Sequence, residues 1–129
     1  MIEFHLNRSS GVATYLQLVH QVKQALRLGL LRPGDQLPTA KEVVAQLGIN
    51  PNTVLKAYRD LEREGLVAPR PGQGTFVQQS LASPSLARTD RLQRALAGWM
   101  DQARAAGLTR EDMAALFDRA LRESEEGVA

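Results

Sequence analysis

A chain of 129 residues with 43% apolar and 23% charged side chains has the composition of a soluble protein, with room for one compact domain and an appendage but not for two large domains. It has no cysteine, which excludes disulfides and thiolate chemistry and suits a reducing cytoplasm. The net charge of +2 is unevenly spread: residues 1–80 hold nine Lys and Arg against six Asp and Glu, residues 81–129 seven against eight. The opening MIEFHLNRSS lacks the basic and then apolar pattern of an export signal, and no apolar run approaches the roughly 18 residues of a membrane span. A cytoplasmic protein with no membrane contact is expected.

At the N-terminus Ile2, Phe4 and Leu6 alternate with Glu3 and His5, a strand-like arm ending at the turn signal Asn7 to Gly11. Thr14 and Gln17 have the spacing of a capping box, and Tyr15, Leu18, Val19, Val22, Leu26 and Gly29 recur at helical spacing. They predict a first helix through Leu31, broken by Pro33, Gly34 and Asp35. Gln36, Leu37 and Pro38 are extended enough to add a short strand beside a later hairpin. Thr39 to Glu42 is a second capping box, Val43, Val44 and Leu47 give the next helix its apolar side, and Gly48 stops it. Asn50 is a favoured cap and Pro51 a favoured first helical residue, so a third helix starts there. Only Ile49 separates stop from cap. Two helices must therefore meet at a sharp angle, which is helix-turn-helix geometry.

Placed at about 100° per residue, Val54, Tyr58 and Leu61 share one side of the third helix, and Asn52, Lys56, Arg59 and Arg63 the other. A charged face is by default only a solvated one. Here the preceding turn overrides that default, because the second helix of such a motif lies in the DNA major groove with its N-terminal residues, Asn52 and Thr53, at the base edges. After Gly65 the period changes. Leu66 to Ala68 and Thr75 to Val77 read as strands around turn chemistry from Pro69 to Gly74, a wing with Arg70 at its base and Gln73 at its tip. Phosphate cradling by GQGT is rejected, since no lysine follows and no helix opens there. The candidate DNA contacts are Lys41, Asn50, Asn52, Thr53, Lys56, Arg59, Arg63, Arg70, Gly72, Gln73 and Gly74.

QQSLASPSLART is poor in large residues and reads as a linker, with Ser83 and Pro84 able to open a helix. Leu92, Leu96, Trp99, Met100 and Ala103 keep helical spacing up to Gly107, and Thr109 to Asp112 starts a second helix carrying Met113, Leu116, Phe117, Ala120 and Leu121 on one stripe. The acidic tail after Arg122 is expected to fray. A helical hairpin of this size cannot cover both stripes by itself, and a symmetric copy is the simplest cover. Leu92, Leu96, Trp99, Met100, Met113, Leu116, Phe117 and Leu121 are the candidate dimer interface. The expected organisation is mostly α with a small β-hairpin: a winged helix-turn-helix domain over residues 1–79, a linker over 80–85 and a helical dimerisation segment over 86–129.

The run LRPGDQLPTAKEVVAQLGINPNTVLKAYRDLEREGLVAPRPGQGTFV resembles the N-terminal winged helix-turn-helix domain of the GntR family of bacterial transcription regulators, and INPNTVLKAYRDLEREGLV its small YtrA-like subfamily. The resemblance spans about the first eighty residues in one register. It implies that Lys41, Asn52, Thr53, Lys56 and the wing from Arg70 to Gly74 touch operator DNA, and that the short helical C-terminus dimerises. It implies a homodimeric regulator, with repression the favoured sign, on an inverted-repeat operator such as that of a transporter operon. Pro51 and Leu55 stand where many family members carry arginines, which is the small subfamily's pattern.

Other chemistries find little footing. His5 and His20 have no ligand partner at a suitable spacing, so no metal or cofactor is expected. No serine lies in G-x-S-x-G, and Glu123, Glu125 and Glu126 lie in the tail, so no enzyme is expected. Trp99, Met100, Met113 and Phe117 can also line a small-molecule effector pocket between subunits, but this spacing is far more often interface core. The competing function is a winged-helix adaptor that docks a polypeptide. Its weakness is that the α-helical stripe from Asn52 to Arg63 is basic rather than apolar.

Overall fold

The computed structural model describes residues 2–82 and 89–127. They form two compact units, Met1–Ala87 and Arg88–Ala129. The first contains α1 (Thr14–Arg27), α2 (Ala40–Leu47), α3 (Pro51–Arg63) and an antiparallel hairpin of β1 (Val67–Arg70) and β2 (Gly74–Val77). The second contains α4 (Asp90–Ala105) and α5 (Arg110–Gly127). This order of helices followed by a hairpin is a winged helix.

The core of the first unit is built where the apolar period predicts. Leu18, Val22 and Leu26 of α1, Val43 of α2 and Val54, Ala57 and Leu61 of α3 are fully buried, and α1 packs against α3. Fully burying a side chain of this size is worth about 1.5–3 kcal/mol, so these residues hold α3 at a fixed angle to the rest. The Tyr58 hydroxyl donates to the Pro38 carbonyl at 2.5 Å, tying the back of α3 to the segment that enters α2.

The ends of α1 differ from expectation. Thr14 and Gln17 do not make a capping box; the cap is Ala13, with no side-chain hydrogen bond. The Gln17 amide is used elsewhere, accepting from Asn7 N–H (2.8 Å) and donating to the Asn7 and Val12 carbonyls (3.0 and 2.9 Å). One turn later Gln21 does the same for His5, accepting from its N–H at 2.9 Å and donating to its carbonyl. The arm is therefore an extended segment clasped by two side-chain amides rather than a strand in a sheet, with Phe4 buried beneath it. At its other end α1 stops at Arg27, not Leu31, because Leu30 N–H bonds back to Ala25 O (2.9 Å) and Gly29 N–H to Leu26 O (3.3 Å), a closing pattern that turns the chain before the proline is reached.

The wing is also tighter than predicted. Its turn is only Pro71 to Gln73, and Pro69 and Arg70 belong to β1, in the register Val67↔Val77, Ala68↔Phe76, Pro69↔Thr75 and Arg70↔Gly74. Arg70 thus stands at the tip end of the hairpin, not at its base. Residues 34–37 run along the free edge of β2, with Leu37 N–H to Thr75 O at 2.9 Å and Val77 N–H to Asp35 O at 2.8 Å.

In the second unit, the expected cap at Ser83 and Pro84 lies outside the described residues, and the described helix α4 starts at Asp90. Thr109 N–H donates to Asp112 Oδ2 at 2.9 Å and Asp112 N–H to Thr109 Oγ1 at 3.2 Å, capping α5 reciprocally, and hydrogen bonding from Thr109, its backbone N–H most and its side chain next, holds the Asp112 carboxyl below its usual range. The tail after Arg122, expected to fray, is helical through Gly127. Helix α5 has Arg119–Glu123 (2.8 Å) and Arg122–Asp118 (3.7 Å) pairs along it and strong helix formers throughout.

Candidate nucleic-acid interface

The turn between α2 and α3 is three residues, Gly48 to Asn50. Thr39 caps α2 reciprocally with Glu42, fixing its start, and Gly48 ends it at φ 66°, a left-handed conformation that a side chain would strain. Asn50 Oδ1 then accepts from Asn52 N–H at 2.8 Å, with Pro51 at the first position of α3. These three devices set the angle at which α3 leaves the body of the domain. They also give Asn50 a structural duty: its oxygen is spent on the cap, leaving only its amide donor for any ligand.

On α3 the burial divides as the period predicts. Val54, Ala57, Tyr58 and Leu61 face the core, whereas Asn52, Lys56, Arg59 and Arg63 are exposed and Thr53 is partly buried. Lys41 is exposed in the first turn of α2. Not all of the cations extend freely. The Lys56 ammonium sits 3.9 Å from the centre of the Tyr15 ring of α1, and Arg63 pairs with Asp60 at 3.4 Å. A cation over an aromatic face gains about 0.5–1 kcal/mol at an exposed site, which favours this seated position of the Lys56 ammonium.

In the wing Arg70 lies 4.1 Å over the Phe76 ring, a second cation placed on an aromatic from a neighbouring strand. Gln36 Nε2 donates to Gln73 O at 2.9 Å and so braces the wing tip. Gly74 has φ 128°, and a Cβ there would lie 2.6 Å from Gln36 Nε2, so a side chain at this position would displace the brace as well as strain the backbone. Gly72 and Gln73 are exposed in the turn.

Two residues of this surface are missing from the sequence-derived set. Leu55 is 39% exposed on α3, three residues after Asn52 and beside Lys56. A leucine on an amphipathic helix is ordinarily assigned to the core, and only the cap at Asn50, which fixes the phase, places this one outside. Tyr15 was read as part of the apolar side of α1; its role as a seat for Lys56 depends on α1 packing on α3 and has no local signal.

The Tyr58 phenol is buried and its pKa is raised, first by desolvation and then by the nearby Glu42 carboxylate. It is a neutral hydrogen-bond donor throughout the physiological range, consistent with a role in posture rather than in chemistry. Among the described residues no group of three His, Asp or Glu side chains is placed to hold a metal ion, and no helix is long and apolar enough to cross a membrane.

In the second unit Trp99, Met100, Met113 and Phe117 line one open recess of about 620 Å³, together with Leu96, Arg104 and Arg110. Among the described residues of this unit only Ala103 and Met113 are buried. Leu92, Leu96, Leu116, Phe117 and Leu121 are left 45–68% exposed.

A capped, sharply turned helix pair with a basic outer stripe, flanked by a braced hairpin carrying a cation, defines a winged helix-turn-helix of the DNA-binding kind. Residues 14–77 match the model of the bacterial regulatory proteins of the gntR family. The chain is 36% identical to the uncharacterized HTH-type transcriptional regulator YhcF of Bacillus subtilis (strain 168) over 104 residues, 81% of this chain and 86% of that one. It is 39% identical over 71 residues to the HTH-type transcriptional repressor YtrA of the same organism, 55% of either chain. The structure of YtrA from Sulfolobus acidocaldarius, a GntR-family transcription factor, matches with a TM-score of 0.55 and 30% identity over 73% of this chain and 97% of that one. The chain belongs to the GntR family and is a YtrA-like transcriptional regulator.

Proposed function

We propose that the protein is a sequence-specific repressor that works in the cytoplasm as a homodimer on an inverted-repeat operator. Residues 1–79 bind DNA, 80–85 link, and 86–129 pair two copies. The observation that carries the reading is the division of α3, whose apolar face is sealed into the core while Asn52, Lys56, Arg59 and Arg63 stand exposed on the opposite face. A helix so presented by a three-residue turn fits the major groove.

In this reading Asn52, Thr53 and Lys56 meet base edges, with Leu55 suited to a thymine methyl. Lys41, Arg59, Arg63 and the wing residues Arg70 and Gln73 meet the backbone, fixing register without reading sequence. The exposed stripes of α4 and α5 support pairing, since an isologous contact would cover Leu92, Leu96, Leu116, Phe117 and Leu121 and set two α3 helices for two half-sites. The sign of regulation follows relatives named as repressors, the YtrA of Bacillus subtilis among them.

Lys56→Ala tests the reading directly. It should weaken binding to a duplex selected by the protein by about 1–3 kcal/mol and to a scrambled duplex by less. Equal loss on both would remove Lys56 from the base-reading set, and failure of the wild type to prefer any duplex would contradict the proposal.

A further inference from the structure

The turn from Asn7 to Val12 is tied far more firmly than its exposed position requires. Besides its bonds to Asn7 and Val12, Gln17 Nε2 donates to Ser10 Oγ at 3.3 Å, and Asn7 Oδ1 accepts from the backbone N–H (3.2 Å) and hydroxyl (2.8 Å) of Ser9. Val12 N–H in turn donates to Ser10 Oγ at 3.1 Å. Between these ties stands Arg8, exposed and in no ion pair among the described residues. No part of the core depends on it.

Arg8 lines a recess of about 270 Å³ with Thr14 of α1 and with Asn50 and Thr53 at the start of α3, over a floor that includes Leu6 and Ile49. The polar chemistry of this recess is one-sided: a guanidinium, two hydroxyls and a carboxamide whose oxygen is already spent on Asn52 N–H, with no carboxylate. One guanidinium flanked by groups able to donate, with no carboxylate opposing it, favours an anion. Thr53 belongs both to the recess and to the first turn of α3, so an anion held here lies on the same surface as the base-reading residues.

We propose that this recess is a phosphate site for the DNA backbone, with Arg8 as its charged contact and Gln17 as the residue that positions Arg8 through the turn. The inference rests on the DNA-binding reading above and extends the interface beyond the helix-turn-helix and wing to the segment preceding α1. A phosphate clamped between two separate segments would fix how deeply α3 enters the groove, while adding no sequence preference.

The test uses the full chain and two duplexes, one recovered by selection from randomised DNA and one scrambled, titrated by fluorescence anisotropy over a series of salt concentrations. Arg8→Ala should weaken both duplexes by the same factor, about 3- to 10-fold near 0.1 M salt, and lower the salt slope by about 1, with an unchanged melting temperature. Arg8→Lys should restore the slope, and Gln17→Leu should lose affinity in the wild type but little more in an Arg8→Ala background. Unchanged affinity and slope for Arg8→Ala would overturn the proposal. So would a loss confined to the selected duplex, which would make Arg8 a base reader. If the wild type enriches no duplex, the DNA-binding reading itself has failed, and that is seen before any variant is made.

Discussion

The two units of this chain solve the problem of burial differently. In the winged helix Leu18, Val22, Leu26, Val43, Val54 and Leu61 have no exposed surface, and the large apolar side chains left exposed, Val12, Leu28, Leu30 and Leu55, lie outside this core. In the helical hairpin α4 and α5 cover Ala103 and Met113 and leave five large apolar side chains about half exposed or more. The lesson is that the first unit is complete as a single copy, whereas the second presents an apolar surface of the kind that marks an interaction site. The division matches the proposed labour: one unit must hold a rigid face toward DNA, the other must find a second copy.

Substitutions can break this contrast. Leu61→Ala removes a fully buried side chain behind α3 and should cost about 2–5 kcal/mol in urea denaturation. A cost under 1 kcal/mol would mean that the core is not sealed as described. Phe117→Ala should by contrast leave the urea transition of the winged helix in place, while lowering the sedimentation mass toward that of one chain and weakening operator binding about tenfold or more at fixed concentration. An unchanged mass would separate α5 from pairing.

Smaller effects sharpen the account within the first unit. Tyr58→Phe leaves the Pro38 carbonyl without its donor and should cost about 1–2 kcal/mol near neutral pH. The phenol's pKa is raised on folding, so its contribution is fully present below the unfolded value of about 10 and is lost as pH climbs beyond it toward the folded value. The wild type should therefore lose stability above about pH 10, and Tyr58→Phe should flatten that slope. The smallest effect is expected for Tyr15→Leu, which unseats Lys56 and should weaken DNA binding by about 0.5–1 kcal/mol. That loss should vanish in a Lys56→Ala background; if it persists, the ring acts by some route other than Lys56.

How much of this was legible depended on the range of the interaction. The Thr39 box, the Gly48 stop and the Asn50-Pro51 start are local signals within a few residues, and they place α2, α3 and the outer stripe directly. The hairpin was legible for the same reason, but Pro69 and Arg70 read as turn chemistry with the glycines that follow, whereas they extend β1 opposite Thr75 and Gly74, a place where an edge strand tolerates proline. Gln17 shows the limit most clearly. Its spacing from Thr14 advertises a cap, yet the amide reaches ten residues back to Asn7, a choice that only the folded path of the arm makes available. Tyr15 and Arg8 share that character, since each acquires its place beside α3 from packing between segments.

The central claim is tested most directly by selecting randomised duplex DNA on the purified full chain. The account predicts enrichment of an inverted repeat whose half-sites lie about one helical turn apart, or a multiple of it, as two α3 helices on a two-fold axis require. Recovery of no motif, or of a single unrepeated half-site, would contradict it.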